Sequence, residues 1–137
     1  MKTHLLILTL ITSILFTACA TTPDPRLLGT WKSNRALTLG SFPRNLPSNE
    51  RPFFTDTLGK DSTTIGDRFF TAQLPPQEHS KGTTQRVHYR VVSLDRDSVI
   101  ITQGASPERI TLHFVSPSRY WVQWTDKTKI YYDRVSK

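Results

Sequence analysis

The sequence predicts an all-β fold, a small antiparallel meander of about 6–8 strands. Three observations support this. Short segments rich in β-branched and aromatic residues recur through the C-terminal half, separated by turn clusters at a spacing of roughly ten residues. No long stretch carries the apolar spacing of an amphipathic helix. The 137 residues include a single cysteine, so no intrachain disulfide can staple the domain and its core must hold it together.

The first element is apolar. Met1 to His4 are short and weakly basic, and Leu5 to Phe16 are apolar apart from Thr9, Thr12 and Ser13. That run is about a dozen residues, too short for the ~20 needed to cross a bilayer. Thr17-Ala18-Cys19 then supplies small residues suited to signal-peptide cleavage. The stretch Leu15-Phe16-Thr17-Ala18-Cys19 resembles the lipobox of bacterial lipoproteins. The resemblance implies a signal peptide over residues 1–18, a diacylglyceryl group on the Cys19 thiol, and an acylated new amino terminus. One acyl chain binds a membrane only marginally, whereas two or three hold it durably. The expected partner is therefore a membrane, reached through covalent lipid on Cys19. Ala20 follows in place of the aspartate that favours inner-membrane retention, which implies the outer membrane, facing the periplasm. The alternative is an ordinary secretory signal cut after Ala18 or Ala20, with Cys19 an incidental thiol.

Residues 19–26 read as a tether stiffened by Pro23 and Pro25, and residues 27–137 as one β-barrel-like domain. Gly29-Thr30-Trp31 leads into the first strand. Such a Gly-x-Trp is similar to the start of lipocalin-like barrels, where the Trp packs across the closed end. The same resemblance places a basic residue near the chain's end, here Arg134, against that Trp. It also implies a barrel able to enclose a small apolar ligand.

Ser41 to Phe53, with Pro43, Pro47 and Pro52, reads as a long loop, because proline cannot donate to a strand ladder. Phe53 to Lys60 and Thr63 to Leu74 read as strands, with Phe69 and Phe70 facing opposite ways. Pro75 to Gly82 forms a second loop. Five strands follow: Thr84 to Leu94, Ser98 to Gln103, Glu108 to Val115, Arg119 to Thr125 and Lys129 to Val135. Ile110, Leu112 and Phe114 alternate with Thr111 and His113. Tyr120, Val122 and Trp124 alternate with Trp121 and Gln123. A three-residue loop at Asp126-Lys127-Thr128 would pair Trp124 with Ile130 and Val122 with Tyr132, which matches apolar with apolar.

The sequence carries 18 basic and 11 acidic residues, a formal charge of +7, or +6 once Lys2 leaves with the signal. Export argues against nucleic acid as the partner, and no run of four Lys/Arg forms a polybasic membrane switch. Asp95-Arg96-Asp97 has the form of a metal-binding Asp-x-Asp, but it reads as hairpin-turn chemistry. His88 and His113 share the polar face on strands separated by one other, about 10 Å apart, too far for one zinc. His79 lies in a loop without paired ligand spacing. No nucleophile elbow, phosphate loop or dinucleotide fingerprint occurs, so neither catalysis nor a cofactor is expected.

The aromatic residues remain. Trp31, Tyr89, Phe114, Val122, Trp124 and Tyr132 are expected to build the core or line a ligand site. Trp121 and Tyr131 fall on the outer face, where they could meet an envelope protein. The expected function is a non-catalytic binding module of the bacterial envelope. The alternatives are an inhibitory or structural protein working through the outer aromatic face, or a hydrolase with an unrecognised site. A continuous apolar cavity of about 300 Å³ or more would favour the ligand binder.

Overall fold

A computed structural model describes residues 23–45, 48–49, 51–77 and 81–137, with residue 53 described by its backbone. The predicted signal peptide, Cys19, Pro47 and His79 lie outside these residues. The strands are β1 (Gly29–Ser33), β2 (Ser62–Ile65), β3 (Phe69–Leu74), β4 (Thr83–Leu94), β5 (Ser98–Gln103), β6 (Arg109–Ser116), β7 (Arg119–Thr125) and β8 (Thr128–Ser136). Each pairs antiparallel with the next, and β8 pairs back onto β1, closing the barrel. Closure removes the free sheet edges that an open meander would expose.

Between β1 and β2 the chain makes two short helices, α1 (Arg35–Gly40) and α2 (Arg51–Thr57). The α2 helix corrects the strand expected over Phe53 to Lys60 and cuts short the expected loop. Phenylalanine and threonine there suggest a strand by propensity. However, Phe54 and Leu58 are spaced one helical turn apart and bury together against Ile130, with Phe42 packed beside them. Pro52 sits in the first turn, where its missing N–H costs nothing. Tertiary burial outweighs strand propensity at this segment.

Two further expectations are corrected. Thr63 to Leu74 is not one strand: Gly66 to Arg68 turn the chain between β2 and β3. The β7–β8 turn contains two residues, Asp126 and Lys127, and Val122 pairs with Ile130 and Tyr120 with Tyr132. A bulge between Gln123 and Thr125 leaves Trp124 as the extra residue. The pairing thus differs from the expected one by two residues, and a shift of two preserves which face each side chain takes. Tyr120, Val122, Ile110, Leu112 and Phe114 point inward as the alternation requires.

The core fills one end of the barrel. Trp31, fully buried, packs with Leu27, Tyr89, Val99, Leu112 and Tyr120. Its indole Nε1 donates to the Leu27 carbonyl at 2.8 Å, so its polar atom is satisfied. The Arg134 guanidinium lies 4.4 Å from the Trp31 ring and donates to the carbonyls of Leu28 and Arg26. This is the basic residue against the Trp that the lipocalin resemblance implies. Residues 24–27 turn against the same end: Leu27 N–H donates to Asp24 O, and the Arg26 side chain binds the Asp24 carboxylate at 2.7 Å. Asp24 is buried, so the turn takes up residues that read as tether. Gly29 has φ +123°, and a Cβ there would stand 2.4 Å from the Ser136 carbonyl oxygen, so β1 meets β8 this closely only with glycine.

Beyond Ser33, β1 leaves β8, and α1 takes its place along the seam. Asn34 N–H donates to Tyr131 O at 2.7 Å. Tyr131 N–H donates to Thr38 Oγ1 at 3.0 Å, and Ser41 Oγ donates to Lys129 O at 2.8 Å. The Asn34 side chain also caps α1, accepting from Leu37 N–H at 2.9 Å.

Candidate ligand-binding cavity

The barrel interior is filled at the Trp31 end and hollow toward α2. A cavity of about 440 Å³ opens there. Tyr120 and Tyr132 form its floor, with rings 5.1 Å apart and nearly parallel at 23°. Tyr120 in turn sits edge-on to Trp31, at 4.7 Å between ring centres. The aromatic column Arg134–Trp31–Tyr120–Tyr132 therefore runs from the closed end up to the cavity. The inward parity of β2, β3, β5, β6 and β7 supplies apolar walls: Ile65, Phe70, Ile101, Ile110, Leu112 and Val122.

The mouth is polar. Glu108 and Gln123 are exposed there, and Gln103 and Thr63 are half-buried. Trp124 also lines the mouth and is 53% exposed, so of its two expected places, core or ligand-site lining, it takes the second. The bulge at β7 re-aims its side chain toward α2, and its ring lies 6.1 Å from Phe54. Phe54 packs edge-on to Phe42 at 4.6 Å, so α2 lies over this end with an aromatic cluster.

Polar groups inside the barrel are shifted by burial. Asp61, after α2, accepts a hydrogen bond from Ser33 Oγ, and Ser33 Oγ also accepts from Gly59 N–H at 2.7 Å. Burial pushes the Asp61 carboxyl above its ordinary range, although the Ser33 hydroxyl opposes this. Burial also raises Tyr120 and Tyr132, with neighbouring Asp61 adding to both. Both phenols therefore stay neutral throughout the physiological range. Both residues line the cavity, and among the described residues neither hydroxyl takes part in a protein hydrogen bond, while the buried side-chain atom left without a partner is Arg134 Nε, at the other end.

The other sequence-predicted residues fall elsewhere. Tyr89 is buried in the lower core and donates to Gly66 O at 2.6 Å, away from the cavity. Phe114 packs against Trp31 and takes the Arg26 guanidinium over its ring at 5.4 Å. Trp121 and Tyr131 are cross-strand partners on the outer face. His113 stacks on Trp121 at 3.9 Å, and Lys129 Nζ lies 4.1 Å from the same ring; Trp121 and Tyr131 are both half-buried. Burial and Lys129 lower the His113 pKa. His88 packs instead against Phe69, on β3. Asp95 caps its own turn by accepting from Arg96 N–H at 2.7 Å. Among the described residues, no three His, Cys, Asp or Glu side chains gather as a metal site.

Sequence reading missed Tyr120 as a site residue, although its inward parity was legible. It also missed α2, whose signal was the Phe54/Leu58 spacing. No protein-family model, curated protein or solved structure matches this chain.

Proposed function

We propose that this protein is a lipid-anchored component of the bacterial envelope that binds a small, largely apolar ligand inside its barrel, without catalysis. The observation that carries the reading is the 440 Å³ apolar-walled cavity above a filled, polar-sealed end. Its size exceeds the ~300 Å³ at which small-molecule sites begin. Of Trp121 and Tyr131, the basis for a protein-binding alternative, Trp121 is covered by His113 and Lys129 and Tyr131 is half-buried, which makes them a poorer docking face.

The anchor rests on the lipobox-like stretch ending at Cys19. In this reading the closed end, where residues 24–27 turn, lies nearest the bilayer, and the cavity mouth points away into the periplasm.

Native mass spectrometry of the protein extracted from its own membrane tests both parts. The mature chain should begin at Cys19 with the mass of its acyl groups, together with a bound apolar molecule. Val122→Trp, which fills the cavity, should lose the bound molecule while keeping the acyl mass. A chain cut at Ala18 or Ala20 without acyl mass would sink the anchor. A wild-type protein as empty as Val122→Trp would sink the binding module.

A further inference from the structure

We propose that Tyr120 and Tyr132 form a hydrogen-bonding subsite on the cavity floor that receives the neutral carbonyl oxygen of a ligand entering oxygen-first. This deepens the binding-module reading and rests on it.

Tyr120 is only 4% exposed, lines the cavity, and has no hydrogen-bond partner among the described residues. A hydroxyl that lines the cavity without a protein partner is free to donate to a ligand acceptor. Tyr132 lies opposite it on the paired strand, its ring nearly parallel at 23°. Two neutral phenols on adjacent strands offer two O–H donors, and a carbonyl oxygen has two lone pairs to accept them. Trp31 Nε1, on the ring packed against Tyr120, is already committed to Leu27 O.

The same surroundings select against an anion. The walls are apolar, and burial resists ionisation at Tyr120, Tyr132 and the neighbouring Asp61 alike. A carboxylate end would have to shed its water against these groups and beside the Asp61 carboxyl. The mouth, with Gln103, Glu108 and Gln123, is where a charged or hydrated end would stay. The ligand class is therefore a flat or slender apolar molecule with a ketone, aldehyde or ester-like oxygen at its buried end.

The test uses the purified mature protein and two fluorescent probes. One is the neutral naphthyl ketone Prodan; the other is its propyl analogue, in which the carbonyl is a methylene. Tyr120→Phe and Tyr132→Phe should each weaken Prodan binding by about fivefold, the worth of one ordinary hydrogen bond. Each should leave the propyl analogue within about twofold. Bound Prodan emission should shift to the blue in the double variant, because the carbonyl has lost its donors. Without ligand, Tyr120→Phe should melt no lower than wild type, since it removes an unpaired hydroxyl and keeps the ring. Equal Prodan affinity and emission in wild type and double variant would overturn the subsite while leaving the binding module intact. Tighter binding of the matching naphthoic acid at neutral pH would overturn the preference for a neutral oxygen. If neither probe enters even the wild-type protein, the binding module fails and the subsite fails with it.

Discussion

At the Trp31 end of the barrel the interior is filled with packed side chains, whereas toward α2 it opens into a cavity whose lining includes the two phenols Tyr120 and Tyr132. The strands are the same; the difference lies in what the chain lays across each end. Below, residues 24–27 fold back, and Arg134 spans Trp31 and the carbonyls of Leu28 and Arg26. Above, a single two-turn helix rests on Ile130 through Phe54 and Leu58. Rigid closure at one end and light cover at the other let a small domain keep a cavity without losing its core.

The largest expected effect lies at the sealed end. Trp31→Ala should lower the unfolding free energy by about 3–5 kcal/mol, measured by urea titration. A loss below about 1 kcal/mol would erase the distinction between the ends. Phe54→Ala should cost less, about 1–2 kcal/mol, because α2 can detach while the strands stay paired. Hydrogen exchange should quicken in α2 and stay unchanged in β5, β6 and β7. Equal quickening throughout would mean that the helix is part of the main cooperative unit.

The smallest effect is also the most specific, because the two ends respond to acid with opposite signs. Arg26 lowers the Asp24 pKa, so stability from that pair is present above the unfolded carboxyl value of 3.8 and is lost as pH falls through the lowered one. Arg119 lowers Asp133 in the same way. Burial raises Asp61, so its contribution is complete below 3.8 and is lost as pH climbs through the raised value. In melting curves across the acid range, Asp24→Asn should flatten the loss on acidification. Asp61→Asn should steepen it, by removing the one compensating carboxyl of these three. Matching profiles for the two variants would show that their surroundings do not differ as described.

The barrel was legible where alternation is regular. Ile110, Leu112 and Phe114 and their β7 counterparts gave the buried face before any register was known. The register itself was not legible, since a bulge at Trp124 changes the pairing without changing the faces. Nor was α2, because residues that favour strands were recruited by a hydrophobic contact far along the chain, at Ile130. The cavity was expected only by resemblance. Whether inward side chains meet or leave a gap depends on barrel radius and on the angle of Trp31 and Tyr120, which no local pattern encodes.

The α1 seam has a consequence for solubility. Where β1 departs, β8 would present a row of open amide and carbonyl groups, the kind of template on which another molecule's strand can dock. Asn34, Thr38 and Ser41 occupy those groups from within the same chain. Crowded side by side, neighbouring copies would find no ladder there to extend.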